Sequence, residues 1–179
     1  MEDRELIRRI QGGQTEYLND VAARYYDDIY YFCCYQTGDR DGAYDLTQET
    51  FLRFIRYVDH YNYHNLKGYL LTIAMNVCRA SWRNEADRES VLRAAREEQH
   101  RSAGSSEADN IRAVLLKEAL AELSESQREA VILHHLYGYK NREIARMTGA
   151  SLAAVKSRIR QGLEKLQLFL EKEDFYGGI

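Results

Sequence analysis

LSESQREAVILHHLYGYKNREIARMTGASLAAVKSRIRQGLEKLQLFL, residues 123–170, contains the clearest structural pattern of this chain. Within it, Asn141–Leu152 predicts a helix, a four-residue turn and the start of a second helix. Gly149 stands where a helix C-terminus favours positive φ, and Ser151 is a suitable N-cap for the next helix. Apolar residues three and four apart follow on one face of that helix: Leu152, Val155, Ile159, Leu163, Leu166 and Leu170. The pattern predicts a helix-turn-helix.

The charge of this stretch favours nucleic-acid binding. Residues 140–167 contain seven Lys or Arg and two Glu, a local net of +5, whereas the whole chain carries −3. A surface of one sign suits the phosphate backbone, while an ordinary solvated face more often mixes the signs. The polar face of the second helix carries Lys156, Ser157, Arg158, Arg160 and Gln161. Two amphipathic helices around a Gly turn also occur in proteins that never touch DNA, so the pattern alone leaves that alternative open.

Composition excludes several classes of protein. The chain has no run of about 18 apolar residues, so we expect no membrane insertion. Its first residues, MEDRELIRRI, lack the apolar core of an export signal. Cys33, Cys34 and Cys78 show no C-x-x-C spacing, which indicates reduced thiols in a cytoplasmic protein. No spacing in the sequence predicts a metal site, a nucleophile–base pair or a phosphate loop, so we expect a non-enzymatic protein without cofactors.

The fold class follows from periodicity. Proline is absent and strand signals are scarce, which predicts an all-α protein. Residues 84–110 contain seven acidic and four basic residues with few large apolar ones, typical of a linker that is helical to about Gln99 and flexible beyond. We therefore expect two small helical domains, 1–84 and 111–172, joined by a flexible acidic linker, 85–110, and followed by a tail, 173–179.

Hydrophobic spacing also predicts the individual helices. We expect them over Glu2–Ile10, from Thr15, over Ala43–Tyr57, over Leu66–Arg83 and over Ile111–Leu123, and then a helix that reaches Leu136, with capping boxes at Ser124 and Ser126. In the helix over Ala43–Tyr57, the residues expected to face inward are Leu46, Thr50, Phe51, Phe54, Ile55 and Val58. By pattern alone, the polar face of that helix is simply solvated.

Aromatic residues lie close in sequence to cations between residues 61 and 83. Tyr61, Tyr63, Tyr69 and Trp82 alternate with Lys67, Arg79 and Arg83. Rings that stack bases next to cations that meet phosphates are typical of single-stranded nucleic-acid binding. A core helix with basic ends fits the same residues equally well.

Two stretches together resemble one family. DLTQETFLRF at Asp45–Phe54 and YLLTIAMNVCRASWR at Tyr69–Arg83 resemble region 2 of bacterial RNA polymerase sigma factors of the sigma-70 family, extracytoplasmic-function group. Leu123–Leu166 resembles region 4, and the acidic linker between the two also matches that group. The resemblance implies a promoter-specificity subunit that binds the RNA polymerase core enzyme and promoter DNA. It also implies an anti-sigma factor as a partner.

The resemblance further assigns roles to residues. The surface that docks to the core polymerase would include Asp45, Gln48, Glu49 and Arg53. The minus-10 element, with one base taken out of the stack, would meet Tyr61, Asn62, Tyr63, His64, Asn65, Tyr69, Asn76, Arg79 and Arg83. The minus-35 element would meet Arg142, Ser151, Ala154, Lys156, Ser157, Arg158, Arg160 and Gln161.

Two alternatives stay open at this level. A stand-alone helix-turn-helix regulator would use the same basic helix, but it leaves Asp45–Arg83 without a role. The second alternative is an interaction protein whose helix-turn-helix no longer binds DNA, and the cations on that helix argue against it. The mild net acidity argues against a free-standing tight DNA binder and favours a partner that supplies most of the affinity.

Overall fold

The computed structural model describes the backbone of residues 1–62, 64–92 and 107–176, and the side chains of 1–62, 64–83 and 113–172. Within these ranges the chain forms helices and no strands, as expected. The α-helices are α1 Asp3–Gln11, α2 Leu18–Thr37, α3 Arg40–Tyr57, α4 Leu66–Leu92, α5 Glu107–Ala121, α6 Glu125–Val131, α7 Asn141–Thr148 and α8 Leu152–Tyr176. Short 3-10 turns cover Thr15–Tyr17 and Val58–His60, and a π-helical turn covers Ile132–Leu136.

The N-terminal helices α1 to α4 enclose one apolar core. Its fully buried side chains include Ile29 and Phe32 from α2, Phe54 from α3 and Leu70 from α4. Each such side chain contributes about 1.5–3 kcal/mol by leaving water. The apolar side of α1 is buried as the spacing predicted, and Gly12 follows its last turn. The core therefore fixes α3 and α4 side by side.

Helix α3 begins three residues before the predicted start. Asp39 is its N-cap, and the Asp39 carboxylate accepts a hydrogen bond from the Asp41 backbone N–H at 3.1 Å. The prediction that Ile55 faces inward was wrong, since this side chain is 44% exposed. The buried positions of α3 include Thr47, which follows Ala43 by one turn and donates to its carbonyl at 2.7 Å. Ile55 lies one residue beyond buried Phe54, about 100° further around the helix.

The C-terminal helices confirm the helix-turn-helix. Gly149 ends α7 with φ of 69°, and the Ser151 hydroxyl accepts from the Ala154 N–H at 3.1 Å at the start of α8. The turn between them has three residues, one fewer than predicted. Before it, Ser124 forms the expected capping box with Gln127, whereas Ser126 lies inside α6. The capping signals at Ser124, Gly149 and Ser151 therefore predict these helix ends correctly.

The buried face of α8 differs from the predicted one. Val155, Ile159 and Gly162 are buried, but Leu163 and Leu170 are 40% and 51% exposed. The reason is Gly162, whose missing side chain lets α6 approach α8. A Cβ added at Gly162 would lie 2.7 Å from Cγ2 of buried Val131. The two helices therefore meet along the glycine rather than along Leu163.

We expect Gly162→Ala to lower the free energy of unfolding by about 1 kcal/mol. The steric cost of overpacking a stiff Val neighbour, about 1–3 kcal/mol, outweighs the gain of about 1 kcal/mol in helix propensity. Urea unfolding followed by circular dichroism measures the change. The control is Lys165→Ala on the exposed side of the same helix, which should stay within about 0.5 kcal/mol. A stabilised Gly162→Ala variant would contradict this packing.

The predicted linker lies partly outside the described residues. Helix α4 continues beyond Arg83 to Leu92, and α5 begins at Glu107, four residues before the predicted start of the second domain. Residues 93–106, which include most of the stretch expected to be flexible, are not among those described. Among the helices that are described, none has the length and apolar character needed to cross a membrane.

Candidate protein and nucleic-acid interfaces

The outer face of α3 brings together the residues expected to bind a protein partner. Asp45 and Gln48 are exposed, and Glu49 and Arg53 are partly exposed one turn apart. Arg53 Nε donates to Glu49 Oε1 at 2.6 Å. The spacing of these positions places them along one side of the helix, away from the core of α2, α3 and α4.

Two apolar residues of α3 extend this face and were missed by the sequence analysis. Leu52 is 58% exposed and Ile55 is 44% exposed, next to the carboxylates and arginines just described. Exposed apolar side chains inside a charged rim are typical of surfaces that bind another protein. The sequence of α3 contains more large apolar residues than one buried face can hold, but the pattern does not show which of them are exposed.

A cavity lies where α1 meets the loop after α3. It has a volume of about 200 Å³ and is lined by Asp3, Arg4, Tyr61, His64, Asn65 and Leu66. This is below the lower bound of about 300 Å³ for sites of drug-sized ligands, so the cavity has room for a small group only. The two α1 residues in the lining were not foreseen from the sequence.

Hydrogen bonds and rings hold the walls of this cavity in place. Asp3 accepts from Arg24 Nη1 and from the Tyr25 hydroxyl, both at 2.5 Å. The rings of Tyr61 and Tyr69 pack with centroids 4.9 Å apart, and Tyr61 is buried. Burial raises the pKa of both phenols. Asn62 and His64 are exposed at the rim, whereas Tyr63 lies outside the described residues.

Helix α4 carries the other candidate minus-10 residues along one stripe. Tyr69, Asn76 and Arg83 follow one another at intervals of seven residues, and Asn76 and Arg83 are exposed. Arg79 belongs to the same stripe but is only partly exposed, because its guanidinium contacts the C-terminal domain. Its Nε and Nη2 donate to Glu129 at 2.6 and 2.5 Å. The side chain of Arg79 therefore binds a carboxylate of its own chain.

The helix-turn-helix presents most of its predicted DNA-facing residues to solvent. Exposed positions are Arg142, Ser151, Lys156, Arg160 and Gln161, and partly exposed ones are Ala154 and Ser157. Arg160 pairs with Glu164 at 2.8 Å on the open side of α8. Gln161 is held at the edge of this face, since its Oε1 accepts from Gln127 Nε2 at 3.2 Å.

Arg158 is the least exposed of the three α8 cations that were predicted to meet the minus-35 element. It is partly buried, and its charge lowers the pKa of Glu129 on α6, against the larger effect of burial, which raises it. Arg158 follows buried Val155 by three residues and precedes Gly162 by four, so it lies at the edge of the packed face. Lys156 and Arg160 are therefore the two exposed cations of this predicted DNA-facing set.

Comparisons with known proteins agree with both halves of the chain. Residues 21–88 match the family described as sigma-70 region 2, and residues 113–166 match that described as sigma-70, region 4. The RNA polymerase sigma factor CarQ of Myxococcus xanthus is 30% identical over 168 residues, which cover 92% of this chain and 95% of CarQ. The extracytoplasmic-function (ECF) sigma factor BldN of Streptomyces coelicolor is 30% identical over 158 residues, 86% of this chain, but the match spans only 60% of BldN.

The fold also resembles that of solved proteins. The sigma factor RpoE of Bartonella quintana, solved in complex with the anti-sigma factor NepR, has a TM-score of 0.74 at 24% identity. The match covers 86% of this chain and 96% of RpoE. The ECF sigma factor SigC of Mycobacterium tuberculosis is 30% identical over 152 residues, which cover 84% of this chain and 81% of SigC. With the two family matches and the match along nearly the whole of CarQ, this shows that the chain belongs to the ECF group of RNA polymerase sigma factors.

Proposed function

We propose that this chain is a dissociable promoter-specificity subunit, which binds the RNA polymerase core enzyme in the cytoplasm and directs initiation at a dedicated set of promoters. One observation carries the proposal: an exposed face of charged and apolar side chains on α3 and a basic helix-turn-helix occur in one chain, each inside a region that matches a sigma-factor family. Its action would be positional, since it would place the polymerase on DNA without making or breaking a bond.

The proposed division of labour follows the two matched regions. Residues 1–84 would dock to the core through Asp45, Gln48, Glu49 and Arg53, with Leu52 at the centre of the contact. The cavity beside Tyr61 and the stripe on α4 would take the melted minus-10 strand, because an unstacked base regains stacking and hydrogen bonds in such a site. Residues 111–172 would read the minus-35 element with the exposed face of α8, and 85–110 would connect the two. An anti-sigma factor would compete for these surfaces.

Run-off transcription tests the proposal directly. Purified bacterial core polymerase is supplied with a genomic fragment library, with and without this protein. We expect discrete start sites that appear only when the protein is added, because core polymerase alone does not select promoters. Absence of new starts, together with a DNA shift by the protein alone, would contradict the proposal and favour a stand-alone regulator. A core enzyme loaded with an unrelated sigma factor serves as the positive control for the library.

A further inference from the structure

Two cysteine thiols meet inside the N-terminal core. Cys33 lies on α2 and Cys78 lies on α4, 45 positions away in the sequence, and their sulfur atoms are 3.9 Å apart. Both side chains are buried, with at most 1% of their surface exposed. The Cys78 thiol donates a hydrogen bond to the sulfur of Cys33. The fold therefore pairs two thiols whose spacing in the sequence gave no sign of a relationship.

The two sulfur atoms are near enough for a small movement to join them. A disulfide has an S–S bond of about 2.05 Å, so each sulfur would move by about 1 Å from its position at 3.9 Å separation. Small rotations about the side-chain bonds of both cysteines supply a movement of this size. Two reacting groups that are held in contact also behave as if they were present at a very high concentration. The packing of α2 against α4 therefore favours a bond between these two residues.

The hydrogen bond also makes the two thiols chemically different. It lowers the pKa of Cys33, which accepts it, against the effect of burial. It raises the pKa of Cys78, which provides the proton, and burial acts in the same direction. The thiolate is the form of cysteine that reacts with oxidants. Cys33 is therefore suited to react first, and Cys78 is suited to complete the bond.

The end of α2 gives a small oxidant a route to Cys33. The helix ends at Thr37, one turn after Cys33, and terminal turns open more readily than the middle of a helix. In this last turn the Gln36 side chain is buried, and neither its amide nitrogen nor its amide oxygen has a hydrogen-bond partner among the described residues. An unsatisfied buried amide lowers the stability of the state that buries it. Local opening at the end of α2 therefore reaches Cys33 at a low cost.

We propose that Cys33 and Cys78 form a reversible disulfide site, which is reduced in the resting protein and oxidised by small peroxides. The bond ties α2 to α4 inside the N-terminal core. In reducing compartments, the disulfides that do form in proteins are usually transient and often sense the redox state. The site needs neither DNA nor polymerase, so it is independent of the function proposed above.

The reaction with hydrogen peroxide has two steps. The Cys33 thiolate attacks one peroxide oxygen, the O–O bond breaks and hydroxide leaves, so that Cys33 becomes a sulfenic acid. The sulfur of Cys78 then attacks the sulfur of Cys33, and the S–O bond breaks. The leaving hydroxide takes up the proton of Cys78 as water. Overall, the two thiols lose two electrons and two protons, and one peroxide is reduced to two molecules of water.

The experiment treats the folded full chain with hydrogen peroxide, unfolds it in the presence of N-ethylmaleimide and maps the cysteines by mass spectrometry. We expect the loss of two of the three thiols and a peptide that joins the Cys33 segment to the Cys78 segment. Dithiothreitol should restore all three thiols. Cys34 should still react with N-ethylmaleimide after the peroxide treatment, because burial raises its pKa and so lowers its thiolate fraction.

The matched control is Cys34→Ala, which removes a half-buried thiol next to the pair and leaves the pair intact. It should form the same disulfide, and it identifies Cys33 rather than Cys34 as the linked residue. Cys33→Ala should form no intramolecular disulfide, and circular dichroism shows whether each variant is folded. The parent and Cys34→Ala decide the question even if Cys33→Ala does not fold.

Three results would overturn the proposal. The first is a Cys78 thiol that stays fully reactive with N-ethylmaleimide after peroxide treatment of the parent and of Cys34→Ala. The second is a disulfide that contains Cys34 instead of Cys33. The third is a bond between Cys33 and Cys78 that forms only when the chain is unfolded in urea, because such a bond would owe nothing to the contact between α2 and α4.

Discussion

Replacing Asp45 and Glu49 together with lysine should lower the affinity of the chain for RNA polymerase core by about a hundredfold or more, equivalent to about 2.8 kcal/mol. Both carboxylates lie on the outer face of α3 beside exposed Leu52. Reversal turns two favourable charges into two unfavourable ones at a contact, and like charges across an interface cost several kcal/mol. The helix itself should survive, because the solvent-exposed Glu49–Arg53 pair contributes little to stability. Titration of fluorescent core polymerase measures the affinity.

The matched control reverses two exposed carboxylates near the start of α2, Glu16 and Asp20, which changes the net charge by the same amount. That variant should bind core nearly as well as the parent. Equal losses in both variants would mean that net charge rather than the α3 face governs the contact. Leu52→Ala provides a second check, since an apolar residue at the centre of the contact should cost more than about 1 kcal/mol when truncated.

Replacing Lys156 and Arg160 together with alanine should lower initiation at a minus-35-dependent promoter by about tenfold or more, while core binding stays unchanged. These are the two exposed cations among the α8 residues proposed to meet the minus-35 element, and each lost base contact costs about 1–3 kcal/mol. A lost phosphate contact would instead make the log–log salt dependence shallower by about 0.9. Run-off transcription at several salt concentrations separates the two effects.

Lys165→Ala, further along the exposed part of α8, is the control for this variant and should initiate normally. Arg158→Ala should act differently from Arg160→Ala, because Arg158 is only partly exposed and its charge also acts on the Glu129 carboxylate of α6. If core binding fell as much as initiation, the separation of roles between α3 and α8 would be wrong.

Sequence reasoning succeeded where the signal is local. The Gly149 turn, the Ser151 cap and the Ser124 capping box each depend on a few neighbouring residues, and the structure confirms all three. The buried side of α1 was likewise predicted correctly from the spacing of neighbouring apolar residues. Such signals determine where a helix begins and ends, whatever the helix packs against later.

The failures concern contacts between distant residues. Leu163 was assigned to the core because it fits the helical period, but the missing Cβ of Gly162 shifts the packed face by one residue. The bonds from Arg79 to Glu129 join residues that are 50 positions apart in the sequence, and the periodicity of neither helix predicts them. Leu52 was overlooked because a pattern cannot distinguish a surplus apolar residue from a buried one.

The orientation of Tyr137 depends on the number of residues in the π-helical turn over Ile132–Leu136. The Tyr137 N–H bonds to the Ile132 carbonyl five residues back, instead of the four-residue step of an α-helix. The Tyr137 hydroxyl donates to the Asp28 carbonyl of α2 at 2.6 Å. Each α-helical residue advances the chain by 100° around the axis, so a chain with one residue fewer here would aim the tyrosine away from Asp28. A single-residue deletion or insertion in this turn would thus reorient the whole helix-turn-helix, although it would keep every side chain that we propose to meet DNA.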